Sequence, residues 1–140
     1  MTIPTILLPL FVQVGLVFAV GIMLALRRGR VLSAGEVNRS EIALDEAGWP
    51  DYCRQANNNL LNQYQFPVLF YVVVILALIT RKADLLFVVL EWVFVLSRIV
   101  HASVHLGSNN LRARALSFGF GVVVLLVMWL LFAVHILLGV

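Results

Sequence analysis

The sequence predicts an all-α fold: one domain over residues 1–140, built as a bundle of four membrane-spanning helices. Three observations predict it. Of the 140 residues, 62% are hydrophobic and only 12% are charged, against roughly half and a quarter in a soluble domain. A soluble core of this length has no room for that surplus, and lipid is its natural solvent. The apolar residues fall into four windows, each long enough for a hydrocarbon layer ~30 Å thick, which takes about 20 residues of helix. No period-two alternation, the mark of barrel strands, runs through them.

The first span covers about Pro4 to Leu26. It starts without a basic segment and ends in Arg27, Arg28 and Arg30, the flank of a retained anchor and not of a cleaved signal peptide. The second runs from about Tyr52 to Thr80, with Pro67 inside it. That proline removes a backbone hydrogen bond and is expected to kink the helix. The third runs from about Asp84 to Leu106 and the fourth from about Arg112 to residue 139. In the fourth, Ala113, Ser117 and Gly121, with Ala115 and Gly119 beside them, form a small-residue stripe. Such stripes let membrane helices approach closely; packing within the chain is the preferred reading, a subunit interface the alternative.

The connections are unequal. The first, Arg27 to about Asp51, is long, polar and glycine-containing. The second, Arg81-Lys82-Ala83-Asp84, and the third, Gly107-Ser108-Asn109-Asn110, are tight, so neighbouring helices run antiparallel. With their flanks, the first and third connections hold Arg27, Arg28, Arg30, Arg39, Arg54, Arg112 and Arg114, whereas the opposite side has Arg81 and Lys82. The positive-inside rule places the first and third connections in the cytoplasm and both termini outside.

The net charge of +3 does not indicate a nucleic-acid partner. The basic residues flank apolar runs instead of forming a stripe interleaved with aromatics. Cys53 is the sole cysteine, so no intrachain disulfide forms. It reads as a packed thiol at a membrane edge, with acylation as the alternative.

Polar groups inside spans are costly and are the first candidates for function. Arg54, Asn58, Asn62 and Gln65 follow spacings of four, four and three, which puts them on one face of the second helix, with Asn57, Asn59 and Gln63 to the sides. Arg98, His101 and His105 share a face of the third helix, Arg98 about 12 Å inside its end. Arg112 and Arg114 open the fourth. The topology gathers these groups at one end of the bundle, as a cationic, amide-rich site suited to a small anion with several carboxylates, which arginine binds bidentately. Snorkelling to headgroups is the competing reading for Arg54, Arg112 and Arg114 taken singly. His101 and His105 also have the spacing of a metal pair, but no third ligand and no H-E-x-x-H pattern accompany them, and no metal is expected. Glu91, two turns from Arg98 on the same face, is expected to pair with a polar group across a helix interface, a proton relay being the alternative. His135 is expected to be structural.

The stretch Arg98-Ile99-Val100-His101-Ala102-Ser103-Val104-His105-Leu106-Gly107 resembles the end of the third helix in the MAPEG family, the membrane-associated proteins of eicosanoid and glutathione metabolism. Its signature there is Arg-x-x-(His or Tyr)-x-x-x-Tyr. Asn62-Gln63-Tyr64-Gln65-Phe66-Pro67-Val68-Leu69-Phe70-Tyr71 is similar to the bacterial branch, which usually has glutamate where Gln65 stands. Arg54 lies one turn before Asn58, and His105 stands where the family has tyrosine. Arg112 sits at the spacing of the leukotriene C synthase branch, Arg114 at that of the prostaglandin E synthase branch.

The resemblance implies a four-helix protomer, a homotrimer in the bacterial inner membrane, and glutathione bound between subunits at the cytoplasmic side. It also implies a glutathione-dependent transferase or peroxidase whose second substrate is a small lipophilic electrophile drawn from the bilayer. Arg54, Asn58, Asn62, Gln65, Arg98, His101 and His105 would bind glutathione. Arg112 or Arg114 would favour its thiolate, since a nearby cation stabilises that form, and His101 would hydrogen-bond the sulfur or assist proton transfer. Two other classes are weighed against this: a non-catalytic protein of the same fold binding an anionic lipid, another thiol or a partner protein, and a small transporter. No broken-helix pair or internal repeat supports the transporter.

Overall fold

The computed structural model describes residues 1–139. Four of its helical stretches are long and apolar enough to cross a membrane: Ile3–Ala34, Asp51–Ile79, Leu85–Leu106 and Leu111–Leu137.

The first helix, α1 (Ile3–Ala34), continues well past the expected end at Leu26. A row of arginines ends the lipid-buried stretch but not the helix, because arginine is a good helix former and these find partners. Arg27 donates to the carbonyl of Tyr52 at 2.6 Å and to that of Leu106 at 3.0 Å. Arg28 pairs with Glu46 and lies 4.6 Å over the Trp49 ring. The helix stops at Gly35, which takes the left-handed conformation (φ 70°) that L side chains avoid.

The first connection is therefore shorter than expected and folds back on α1. It holds α2 (Arg39–Ile42), capped by Asn38, and a single 3₁₀ turn at Glu46–Gly48. Val31, Trp49 and Cys53 form a small separate core. The Cys53 thiol is fully buried there, which favours the packed thiol over the acylation site.

The second span is not one kinked helix but two, α3 (Asp51–Gln63) and α4 (Phe66–Ile79). Pro67 has no N–H for the Gln63 carbonyl, and its ring clashes with that carbonyl in a continuous helix. The helix breaks at Tyr64 and Gln65, one turn before the expected kink. Pro67 then sits in the first turn of α4, where its missing N–H costs nothing.

The third and fourth spans are α5 (Leu85–Leu106) and α6 (Leu111–Leu137). Asp84 is the cap of α5 and not its first residue, accepting from the Phe87 N–H at 2.8 Å. Asn110 caps α6 in the same way through the Ala113 N–H at 3.0 Å.

Helix α5 is central and packs against α6, α1 and α3, while α4 packs against α6 and α1. Phe70 and Phe94 stack at 4.6 Å in the core beside Val73, Val95 and Met128. Helices α5 and α6 meet most tightly at Gly121, where an added Cβ would stand 2.7 Å from Ser97 Oγ. A Cβ at Gly119 would meet nothing within 4 Å. The small-residue stripe serves packing within the chain, the preferred of its two readings.

A buried amide ladder crosses the bundle. Gln13 Nε2 donates to Gln63 Oε1 at 3.1 Å, Gln63 Nε2 to Asn59 Oδ1 at 3.1 Å, and Asn59 Nδ2 to the Ala102 carbonyl at 3.0 Å. It ties α1, α3 and α5 together where water is absent to satisfy these groups. The inward face of α3 is thus Cys53, Ala56, Asn59 and Gln63. Of the face expected to carry the site, Arg54, Asn58 and Gln65 are exposed in the protomer and Asn62 is half-buried. Glu91 also departs from expectation: it is fully buried, and neither carboxylate oxygen has a hydrogen-bond partner among the described residues.

Candidate functional site

The break between α3 and α4 leaves the last carbonyls of α3 without a continuing helix, and α5 answers them. The Arg98 guanidinium, 1% exposed, donates to the Asn62 carbonyl at 3.5 Å. A cation there complements the helix dipole. Its other flank lies 5.7 Å from the centre of the Phe118 ring.

One turn further along α5, His101 Nδ1 is 3.2 Å from the Arg114 carbonyl and 3.4 Å from Ser117 Oγ. A carbonyl only accepts, so Nδ1 carries the hydrogen. In the neutral ring this leaves Nε2, buried and unpartnered, as an acceptor. His105 follows edge-to-face at 5.7 Å, and its Nδ1 is also buried without a partner. Arg114 donates to Asn109 Oδ1 at 2.7 Å, while its Nε has none.

These groups border a cavity of about 240 Å³ lined by Asn62, His101, Leu111, Arg114, Ala115 and Phe118. No acidic side chain lines it. The ion pairs among the described residues are Arg28–Glu46 and Arg54–Asp51; neither involves Arg98 or Arg114. A cavity with buried cations, no carboxylate and several unanswered ring and guanidinium nitrogens is built for an anion that brings its own hydrogen-bonding groups.

Of the residues expected at the site, the structure brings Asn62, Arg98, His101 and Arg114 together, with His105 one turn away. Arg54 is exposed and paired with Asp51 at 3.3 Å. Asn58 is exposed, and Arg112 is exposed outside the cavity lining. Gln65 lies in the helix break beside Phe66 and Leu69. No group of three or more His, Cys, Asp and Glu side chains able to hold a metal occurs among the described residues.

Phe118 is the residue that sequence reasoning missed. Its ring touches Arg98, His101 at 5.6 Å and Phe66 at 5.5 Å. The signal was its place four residues after Arg114, one turn along the same face of α6. Beyond the Phe66–Phe118 contact lies an apolar groove of about 440 Å³ between α4 and α6, lined by Phe66, Leu69, Val122, Leu125, Leu126 and Trp129.

The sequence profile of the MAPEG family matches residues 6–134. No curated protein and no solved structure matches the chain. The matched region takes in all four long apolar helices and every residue of the cavity. With its four helices able to cross a membrane, the chain belongs to the MAPEG family.

Proposed function

We propose that the protein is a membrane-bound, glutathione-dependent transferase or peroxidase acting on lipophilic electrophiles. The observation that carries this reading is the acid-free cavity where Asn62, His101 and Arg114 meet, backed by the buried Arg98. Glutathione presents two carboxylates, amide groups and a thiol, and the cavity offers cations, an amide and a free imidazole nitrogen. The residues fit the ligand. Arg114 and Arg98 supply the positive field that holds carboxylate and favours thiolate. His101 Nε2, the free acceptor, hydrogen-bonds the thiol or takes its proton. Arg114 sits at the cavity where Arg112 does not, which favours Arg114 as the thiolate's partner.

The reading extends to the assembly. Arg54, Asn58 and Gln65 are exposed in the protomer although they belong to a spanning segment, and bare amides against lipid are costly. A second copy of the chain covers them in the homotrimer, where Arg54, Asn58, Gln65 and Arg112 complete the site from the subunit boundary. The arginine-rich first and third connections lie in the cytoplasm and the termini outside, with the inner membrane of a bacterium as the setting.

The test is the far-ultraviolet thiolate difference spectrum of the purified protein titrated with glutathione at neutral pH. A saturable band, lost in Arg114→Ala, is expected. Intact oligomers with no band would overturn the reading and favour a non-catalytic protein of this fold, in which Gln65 and His105 have replaced the groups that hold the thiol.

A further inference from the structure

The cavity and the apolar groove share one wall. Phe66 lines the groove from the first residue of α4, and Phe118 lines the cavity from α6. Their rings meet edge-to-face at 5.5 Å and 76°. On one side stand His101 and Arg114; on the other, Leu69, Leu125, Leu126 and Trp129. The groove follows α6 from the Phe118 level to Trp129, eleven residues on, or about 16 Å at the rise of an α-helix. It is long and nearly devoid of polar lining, and it ends against the one place where a polar head can be received.

We infer that the Phe66–Phe118 contact is a specificity-determining partition: the groove takes the hydrocarbon tail of the electrophile, and the two rings set which reactive heads reach the thiol. This rests on the glutathione reading. The substrate class is an amphiphile with a single chain and a terminal electrophile, of which a long-chain α,β-unsaturated aldehyde is the simplest. The thiolate sulfur forms a bond to the β-carbon and the C=C π bond breaks. The electron pair moves to the α-carbon as an enolate, which takes a proton from water and replaces the one the thiol released. No oxidant or leaving group is involved. The occupant is argued from continuity with the cavity, since a compact polar electrophile has no use for an apolar channel of this length.

The test uses the full-length protein in detergent, with trans-2-alkenals of increasing chain length. Leu126 is 56% exposed, so Leu126→Trp fills the groove without repacking the core. This variant is expected to lower kcat/KM for long-chain alkenals by about tenfold and to leave short-chain turnover and the thiolate band unchanged. Phe66→Ala opens the partition and is expected to raise turnover of alkenals methylated beside the reacting carbon by about tenfold relative to unbranched ones, again with an unchanged thiolate band.

Binding is read without catalysis. A brominated long-chain alcohol is expected to quench tryptophan emission, and Trp129→Phe to abolish that component. Equal effects of Leu126→Trp on short and long alkenals would overturn the inference. So would a Phe66→Ala variant with wild-type head selectivity, or quenching by brominated phospholipid that long-chain alkenal does not displace, which would mark a lipid-tail groove only. A wild type with no thiolate band would instead overturn the glutathione reading and the catalytic role of the partition with it, while Trp129 quenching would still report whether the groove takes a chain.

Discussion

The Arg98 guanidinium of α5 stands 3.5 Å from the carbonyl of Asn62, at the point where Pro67 forces α3 to end. One buried cation thus closes a helix terminus and charges the wall of the candidate site. Its structural duty and its chemical duty are separable only by measurement.

Arg98→Ala removes both the cap and the field, and Arg98→Lys keeps the charge while losing the planar fork. Alanine is expected to cost about 2 kcal/mol of stability and to abolish glutathione binding. Lysine is expected to restore most of the stability and only part of the binding. Thermal unfolding in detergent beside the thiolate titration separates the two. Equal binding by Arg98→Ala and wild type would remove Arg98 from the site.

Arg112 and Arg114 are two residues apart, and the fold treats them differently: Arg114 lines the cavity and Arg112 is exposed. Arg114→Ala is expected to lower the thiolate fraction about tenfold or more, Arg112→Ala much less. Spectra of both variants at saturating glutathione check this, and the reverse order would show that Arg112 is brought to the thiol by assembly.

The amide ladder is a stability device. Gln63→Leu leaves Gln13 and Asn59 each short of a partner in a buried span, a loss of about 1–3 kcal/mol. The Gln13→Leu, Gln63→Leu double variant is expected to cost less than the sum of the single changes, with a coupling of about 1 kcal/mol. A double-mutant cycle on unfolding midpoints measures it; strict additivity would mean the ladder contributes nothing as a unit.

Gly121 permits the closest approach of α5 and α6. Gly121→Ala brings a Cβ to 2.7 Å from Ser97 Oγ, a hydroxyl held by its 2.6 Å bond to the Phe94 carbonyl. The expected cost is about 1–3 kcal/mol. Ser97→Ala should rescue it, because the next Ser97 atom, Cβ, is 3.8 Å away. A rescue absent from the thermal melts would place the strain in the helix backbones.

Glu91 is fully buried with both oxygens unpartnered. Glu91→Leu is expected to raise stability by about 1–3 kcal/mol, the desolvation cost of an unanswered polar group. A lower melting midpoint would mean that the carboxyl has a partner in the assembled protein.

The sequence by itself determined the four apolar spans, their antiparallel order, the gathering of Arg98, His101 and Arg114 at one end, and the family signature. Each of these follows from length, composition or helical spacing, which are local properties. What only the tertiary structure decided is which way the second span turns. Asn58 and Asn62 share a spacing with Arg54, and Asn59 and Gln63 share one with Cys53; periodicity alone does not say which set faces inward. Packing against α1 and α5 chose Asn59 and Gln63 because Gln13 and the Ala102 carbonyl were there to pair with them. Tertiary structure likewise carried α1 beyond Leu26, since Arg27 found carbonyls on two other helices. It separated Arg114 from Arg112, left Glu91 without its expected partner and put Phe118 at the centre of the site. These outcomes depend on which side chains lie across an interface, and helix spacing holds no information about the neighbour.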